Sequence, residues 1–215
     1  TDTGCYFAEF EPNALVPHDG TLTFLRHPPP NAPGLFNFFR MRTDGTLPQE
    51  GYYSRVLGPR AGVGPAWLAV SPDGKWLYAN ASATRSRDFH QNSAWFYSVK
   101  DRKEVAGHVI HRMRFDCSGD VEVFAGKAGE PGPDPAHFSF PEGISCDAQG
   151  RVYVCDTGNN RVQVFDAEAK FLKSVPVPAP LQAAVHPKSG ALYVLSFPVK
   201  ERLFKLVKFK GLEDL

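Results

Sequence analysis

With 215 residues the chain is long enough to bury a core of its own, and its 19 Gly and 19 Pro favour many turns over long helices. Its net charge of +1 gives no bulk electrostatic case for nucleic acid or an anionic membrane. No run of about 18 apolar residues is present to span a bilayer.

The chain begins Thr1-Asp2-Thr3 without Met, so its start is read as processed or truncated. The absence of a signal peptide then says nothing about compartment. In chain order, Leu22 to Arg26, Leu35 to Met41 and Tyr52 to Leu57 are predicted strands, with Thr43 to Thr46 as a turn. Pro65 to Asn80 reads as strand, tight turn, strand. The stretch 83–107 is predicted to be an insertion, polar at first, that contains Trp95, Phe96 and Tyr97. Long irregular segments in compact folds often carry function, so Arg85, His90, Trp95 and Tyr97 are candidates to line a binding surface. Arg112 to Asp116 and Val121 to Ala125 are expected to form an outer hairpin.

Pro141 to Asp156 repeats the pattern of Pro65 to Asn80 without a gap: Pro141 answers Pro65, Gly150 answers Gly74, and Asp156 answers Asn80. Gln182 to Ser196 is a third copy with one extra residue in its turn. The turn glycine is expected at positive φ, which other residues adopt at a cost. The flanking strands are apolar throughout, as in strands covered on both faces. Arg161 to Asp166 alternates with period two, Phe171 to Val175 makes a fourth strand, and Pro176, Pro178 and Pro180 stop the pairing. Lys205 to Lys210 is a last strand.

Four strands in about 35 to 45 residues, repeated, predict an all-β chain of four-stranded antiparallel blades, a β-propeller. The blade-like units are 15–58, 65–126, 141–178 and 181–210, within a single domain or partial propeller over 1–215. At about 45 residues each this is roughly four blades, expected to belong to a larger ring of six, with a closed four-bladed ring as the alternative.

Cys146 and Cys155 fall in one predicted hairpin. A turn at Asp147 to Gly150 would set Cys146 opposite Arg151 and Cys155 opposite Glu142. That separates the two thiols by roughly 13 Å along the strands, too far for a disulfide, so both are expected as small apolar core residues.

Phe140 to Asp166 resembles an NHL repeat. It has the Pro-x-Gly strand at Pro141, an Asp-x-x-Gly turn at Asp147, a strand ending in Asp156, and Asn160-Arg161 before an alternating strand. Phe124 to Gly129 resembles the linker before such repeats. The copies at Pro65 and Gln182 lack the Asn-Arg element. The resemblance implies an NHL-like propeller, usually six-bladed and most often a binding or scaffolding module. Some members bind RNA, some are extracellular sensor domains, and a peptide-amidating lyase is a metal enzyme with a His just after the opening Pro. Here that position is Glu142, so the metal site does not carry over. The overall style also resembles bacterial proteins with secretion signals, which points to an extracytoplasmic location.

Asp156, Asn160 and Arg161 have two readings, a ligand-facing loop or turn-building groups. His137, Phe140 and Glu142 precede an inner strand, where propellers open to their channel, and could hold a cation or polar ligand. His108 and His111, at spacing three on a strand, make a poor metal pair. No HExxH, GxSxG or complete P-loop occurs. Asn80-Ala81-Ser82 matches a glycosylation acceptor, but its place at a strand end favours a turn role. Lys200, Arg202, Lys205, Lys208 and Lys210 read either as a nucleic-acid or lipid strip or as an exposed edge strand.

The expected function is a non-enzymatic propeller that binds a protein or small-molecule ligand, with no cofactor and no nucleic acid. The alternative is a metal-dependent lyase or lactonase using Ca or Zn at the channel mouth.

Overall fold

The computed structural model of the chain describes residues 67–80, 108–115, 122–127 and 130–214, and the backbone of the strands Val16–His18, Thr21–Arg26, Phe36–Arg42, Tyr52–Gly58 and Ser82–Ala83. It is all-β, and every strand pair is antiparallel. The first sheet has the order β1 (Val16–His18), β2 (Thr21–Arg26), β3 (Phe36–Arg42), β4 (Tyr52–Gly58) and then β7 (Ser82–Ala83). The second runs β5 (Leu68–Val70), β6 (Trp76–Ala79), β8 (Val109–Arg114), β9 (Glu122–Gly126). The third runs β10 (Pro141–Cys146), β11 (Val152–Asp156), β12 (Arg161–Phe165), β13 (Phe171–Pro176). The fourth has β14 (Pro180–Val185), β15 (Leu192–Ser196) and β16 (Lys205–Phe209). The leading strands pack in series, β1 on β5, β5 on β10 and β10 on β14.

The third sheet shows why its sequence is apolar almost without a break. Val152 and Val154 face the second sheet, in a core with Tyr78, Ile110, Phe124 and Phe138. Their neighbours Tyr153 and Cys155 face the fourth, in a core with Ala183, Leu192 and Val194. Successive side chains point to opposite faces, so a strand sandwiched between two sheets is apolar on both faces except where a buried polar group finds partners, as Asp156 and Gln163 do. Each buried Val or Leu contributes about 1.5–3 kcal/mol relative to full exposure.

The tight turns follow their residues. Gly74, Gly150 and Gly190 all have positive φ, as expected. The side chain that opens each turn caps it. Ser71 Oγ accepts from Trp76 N–H at 2.9 Å, Asp147 Oδ1 from Arg151 N–H at 2.9 Å, and His186 Nδ1 from Ser189 N–H at 3.1 Å.

The structure corrects several details. The Asp147 turn runs one residue further than expected, to Arg151, because Asp147 N–H bonds to Arg151 C=O. Cys146 therefore lies opposite Val152, not Arg151. An irregularity at Glu142 and Gly143 restores the pairing of Pro141 with Asp156. The two thiols stay far apart in register, and both are free. The strand expected at Arg112 to Asp116 is β8, which begins earlier because Val109 and Ile110 are fully buried and ends before the turn at Phe115. Ser82–Ala83 leave the second sheet and pair with Leu57–Gly58 of the first, giving it five strands instead of four. The fourth sheet has three strands among the described residues.

At Gly143 a side chain is excluded by its neighbour. A Cβ there would lie 2.6 Å from Gln182 Cα and 2.7 Å from Leu181 O. The start of β10 thus touches the start of β14, backbone to backbone.

Candidate functional site

The start of β10 and the end of β11 gather most of the residues singled out in the sequence. The segment 130–139 crosses this end of the third sheet and is fastened by Asn159, which donates to Gly132 O at 2.8 Å, by Gln163, which donates to His137 O at 3.0 Å, and above all by Arg161. Arg161 Nε donates to Asp156 Oδ2 at 2.7 Å, and its Nη2 donates to the carbonyls of Asp134 at 2.8 Å and His137 at 2.9 Å. Its Nη1 donates to Pro133 O. Asp156 is completely buried, and its carboxylate is fully occupied. Oδ1 accepts from Ser139 N–H at 2.7 Å, and Oδ2 accepts from Asn159 Nδ2 at 2.8 Å and from Gln163 Nε2 at 3.3 Å as well as from Arg161. Buried charges persist when paired and hydrogen-bonded in this way.

Asn160 takes the left-handed conformation at φ 55°, as a short polar side chain can. Its Oδ1 accepts from Ala179 N–H at 2.8 Å, which ties the third sheet to the strand that follows. Asp156, Asn160 and Arg161 are therefore engaged in turn and loop bonds.

His137 is tied to its own loop, Nδ1 lying 2.7 Å from Asp134 Oδ1. The hydrogen bond from His137, with another from Ala136 N–H, holds the Asp134 carboxyl below its usual range. Burial pushes the Cys146 thiol up to about 12 and drives Cys155 upward too, which disfavours the thiolate of both.

Glu142 sits at the seam between the second and third sheets. Its Oε2 accepts from the indole N–H of Trp67 at 3.2 Å. Asn80 bridges the same seam: its Oδ1 accepts from Trp67 N–H at 2.6 Å, and its Nδ2 donates to Pro141 O and Glu142 O, both at 2.9 Å. Thr157 does the corresponding job one sheet on, donating its hydroxyl to Pro180 O at 2.5 Å.

Phe140 stands apart from this inward-turned set. It is 51% exposed and has a φ of 51°, which an aromatic residue adopts only under constraint. Its N–H donates to His108 Nδ1 at 3.1 Å, and the two rings meet edge to face at 4.9 Å. His108 is itself left-handed, at φ 83°. It lies just before β8, so the strand-face rule does not govern its relation to His111, which is buried within the strand.

Arg85, His90, Trp95 and Tyr97 lie outside the described residues. The structure brings together His137, Phe140, Glu142, Asp156, Asn160 and Arg161 at one end of the third sheet. Sequence reasoning missed Trp67, Thr157 and Gln163, which carried no signal; it read His108 only as half of a poor metal pair, and Asn80, aligned with Asp156, only as a turn residue.

Residues 138–165 match the family model of the NHL repeat. The chain carries an NHL repeat. Its Pro-x-Gly element is Pro141 to Gly143, where the glycine admits the next sheet, and its Asn-Arg element is the Asn160–Arg161 clamp. Human NHL repeat-containing protein 3 is 50% identical over 40 residues, 19% of this chain and 12% of that protein. Among solved structures, a gluconolactonase from Xanthomonas campestris superposes with a TM-score of 0.52 at 19% identity, covering 87% of this chain and 56% of that one. The nidogen/laminin complex gives 0.51 at 11% identity, covering 90% and 62%. At such identities the likeness is one of fold. The chain thus spans an eighth of its curated relative, and little more than half of these propellers.

Proposed function

We propose that the chain is a non-enzymatic NHL-type propeller that holds a partner, a protein or a small ligand, on the end of the third sheet around Phe140. One observation carries the reading. Phe140 is an exposed aromatic kept in a costly backbone conformation by a defined contact with His108, while the polar groups around it bond inward. Backbone strain kept beneath an exposed side chain supports a surface arranged for contact, and aromatics dominate such contacts. Among the described residues no three His, Cys, Asp or Glu side chains come together as metal ligands. The reading needs no catalytic group.

A photo-crosslinking residue at Phe140 tests this. It should capture a discrete partner that the same probe at Leu172, on the outer strand, does not, and Phe140→Ala should weaken binding of that partner about tenfold. Equal capture at both positions overturns the proposal. So does hydrolysis of sugar lactones by the purified chain supplied with Ca²⁺ or Zn²⁺, which would install the enzymatic alternative.

A further inference from the structure

Two residues with a side chain and a left-handed backbone meet between the second and third sheets, His108 just before β8 and Phe140 just before β10, at φ 83° and φ 51°. Phe140 N–H donates to His108 Nδ1 at 3.1 Å, and the two ring centroids lie 4.9 Å apart. The two sheets that carry them share one core, so both sides of this contact are in place.

The backbone on either side is fastened. Ser139 N–H donates to Asp156 Oδ1 at 2.7 Å, Ser139 O accepts from Gly158 N–H at 2.7 Å, and Pro141 pairs with Asp156. On the other side, a Cβ at Gly126 would lie 2.5 Å from His108 O, and Val109 and Ile110 are buried. What can move at this joint is the pair of side chains.

The bond fixes the state of the imidazole. A ring nitrogen that accepts from a backbone N–H carries no proton, so His108 is neutral here, with its proton on Nε2. An imidazolium has two N–H donors and no acceptor. Once protonated, His108 would aim an N–H at the Phe140 N–H, donor against donor, and the ring would have to turn away.

We propose that His108 is a pH-sensitive brace for Phe140: the neutral imidazole holds the Phe140 ring in place and a proton releases it, so that this face binds its partner more weakly as the pH falls. The proposal rests on the reading of Phe140 as part of the binding face and adds how that face is regulated. Histidine is the side chain whose charge ordinarily changes between about pH 5 and 8. The bond is present above the titration of His108 and lost below it.

Other ionisable groups stand around the joint. His111 is buried on the strand that follows His108, Lys127 comes after Gly126, and Glu142 lies two residues beyond Phe140 with its carboxylate on the Trp67 indole. Asp156 and Arg161 are paired with each other. His137 is a second imidazole at this end, and it answers acid in the opposite sense. Its Nδ1 lies 2.7 Å from Asp134 Oδ1 and its Nε2 3.9 Å from Glu130 Oε2, so a proton there strengthens contacts where at His108 it breaks one.

The test is fluorine NMR of the full chain carrying 4-fluorophenylalanine at Phe140, recorded from about pH 8 to about pH 5 beside the imidazole nitrogen signals of His108. The nitrogen signals should show the Nε2–H tautomer at high pH, and the fluorine signal should move with the same midpoint as His108. In His108→Asn the fluorine response should vanish. Asparagine tolerates the left-handed backbone and offers a carbonyl oxygen in place of Nδ1, but takes up no proton in this range. Backbone amide signals of β10 and β11 should stay native throughout, which separates release of the ring from unfolding. A photo-crosslinker at Ala136, exposed on the neighbouring segment, leaves both rings in place. Capture of the partner there should fall about fivefold from the upper pH to the lower, and should not fall in His108→Asn.

A fluorine signal indifferent to pH overturns the proposal, as does one that moves equally in His108→Asn or a His108 ring found as the other tautomer. Capture that holds or strengthens at low pH while the fluorine signal moves overturns the regulation of binding. A moving fluorine signal with no partner captured at either pH supports the brace and removes instead the reading of this end as a binding face.

Discussion

Asp156 shows how one buried charge can organise a surface loop. Its carboxylate gathers donors from Ser139, Asn159, Arg161 and Gln163, and the arginine in turn grips three carbonyls of the segment 130–139. Removing the cation leaves the carboxylate buried with its neutral donors only, and such losses typically cost about 3–5 kcal/mol. Arg161→Ala is therefore expected to destabilise the protein by about 3 kcal/mol, because three N–H donors remain. It should also free the loop. Urea unfolding gives the first quantity. Amide exchange gives the second: Gly132 and His137 N–H, which bond to Phe138 and Asp134 carbonyls, should lose protection before the strands do.

At the scale of the element, the glycine of the Pro-x-Gly motif serves the neighbouring sheet more than its own. Gly143 has no unusual φ to excuse it; what it provides is space for the backbone at Leu181 and Gln182. Gly143→Ala should force β10 and β14 apart and cost about 3 kcal/mol, a penalty typical of overpacking against groups that cannot yield. Crystallographic separation of the two strands together with a lowered melting temperature would bear this out; a neutral variant would show that the seam can slide.

The repeat itself was legible in the sequence, because period-two alternation, turn glycines and turn-opening Asp or Ser are local matters. The turn at Asp147 was misjudged by one residue because Arg151 N–H and C=O both close onto Asp147, a choice that spacing alone does not encode. The diversion of Ser82–Ala83 into the first sheet was equally invisible, since both sheets offer an edge and the sequence does not say which is nearer. The candidate site was half legible. Polar residues at the start of β10 were found by position, yet whether each bonds inward or faces solvent depends on partners far along the chain, such as His108 for Phe140.

Over the whole molecule, the sheets are joined by their leading strands and by side chains at strand ends that reach forward, Asn80 to Pro141 and Glu142, Thr157 to Pro180. Asn80 is the more exacting of these. Its amide nitrogen donates to two carbonyls of the next sheet, and the residue is buried. Asn80-Ala81-Ser82 is nonetheless a glycosylation acceptor sequence. In a secretory compartment, folding and the attachment of sugar then compete for the same nitrogen. A chain that closes the seam first is out of the glycosylating enzyme's reach for good. A chain modified first carries a glycan where two carbonyls must be met, and its second and third sheets cannot join. Secreted protein should therefore be unglycosylated at Asn80, with any glycosylated fraction retained or aggregated, as mass spectrometry of the two pools would show. Soluble, folded protein bearing a sugar at Asn80 would contradict the seam described here. The bond that locks one blade to the next is, for a chain still being made, a deadline.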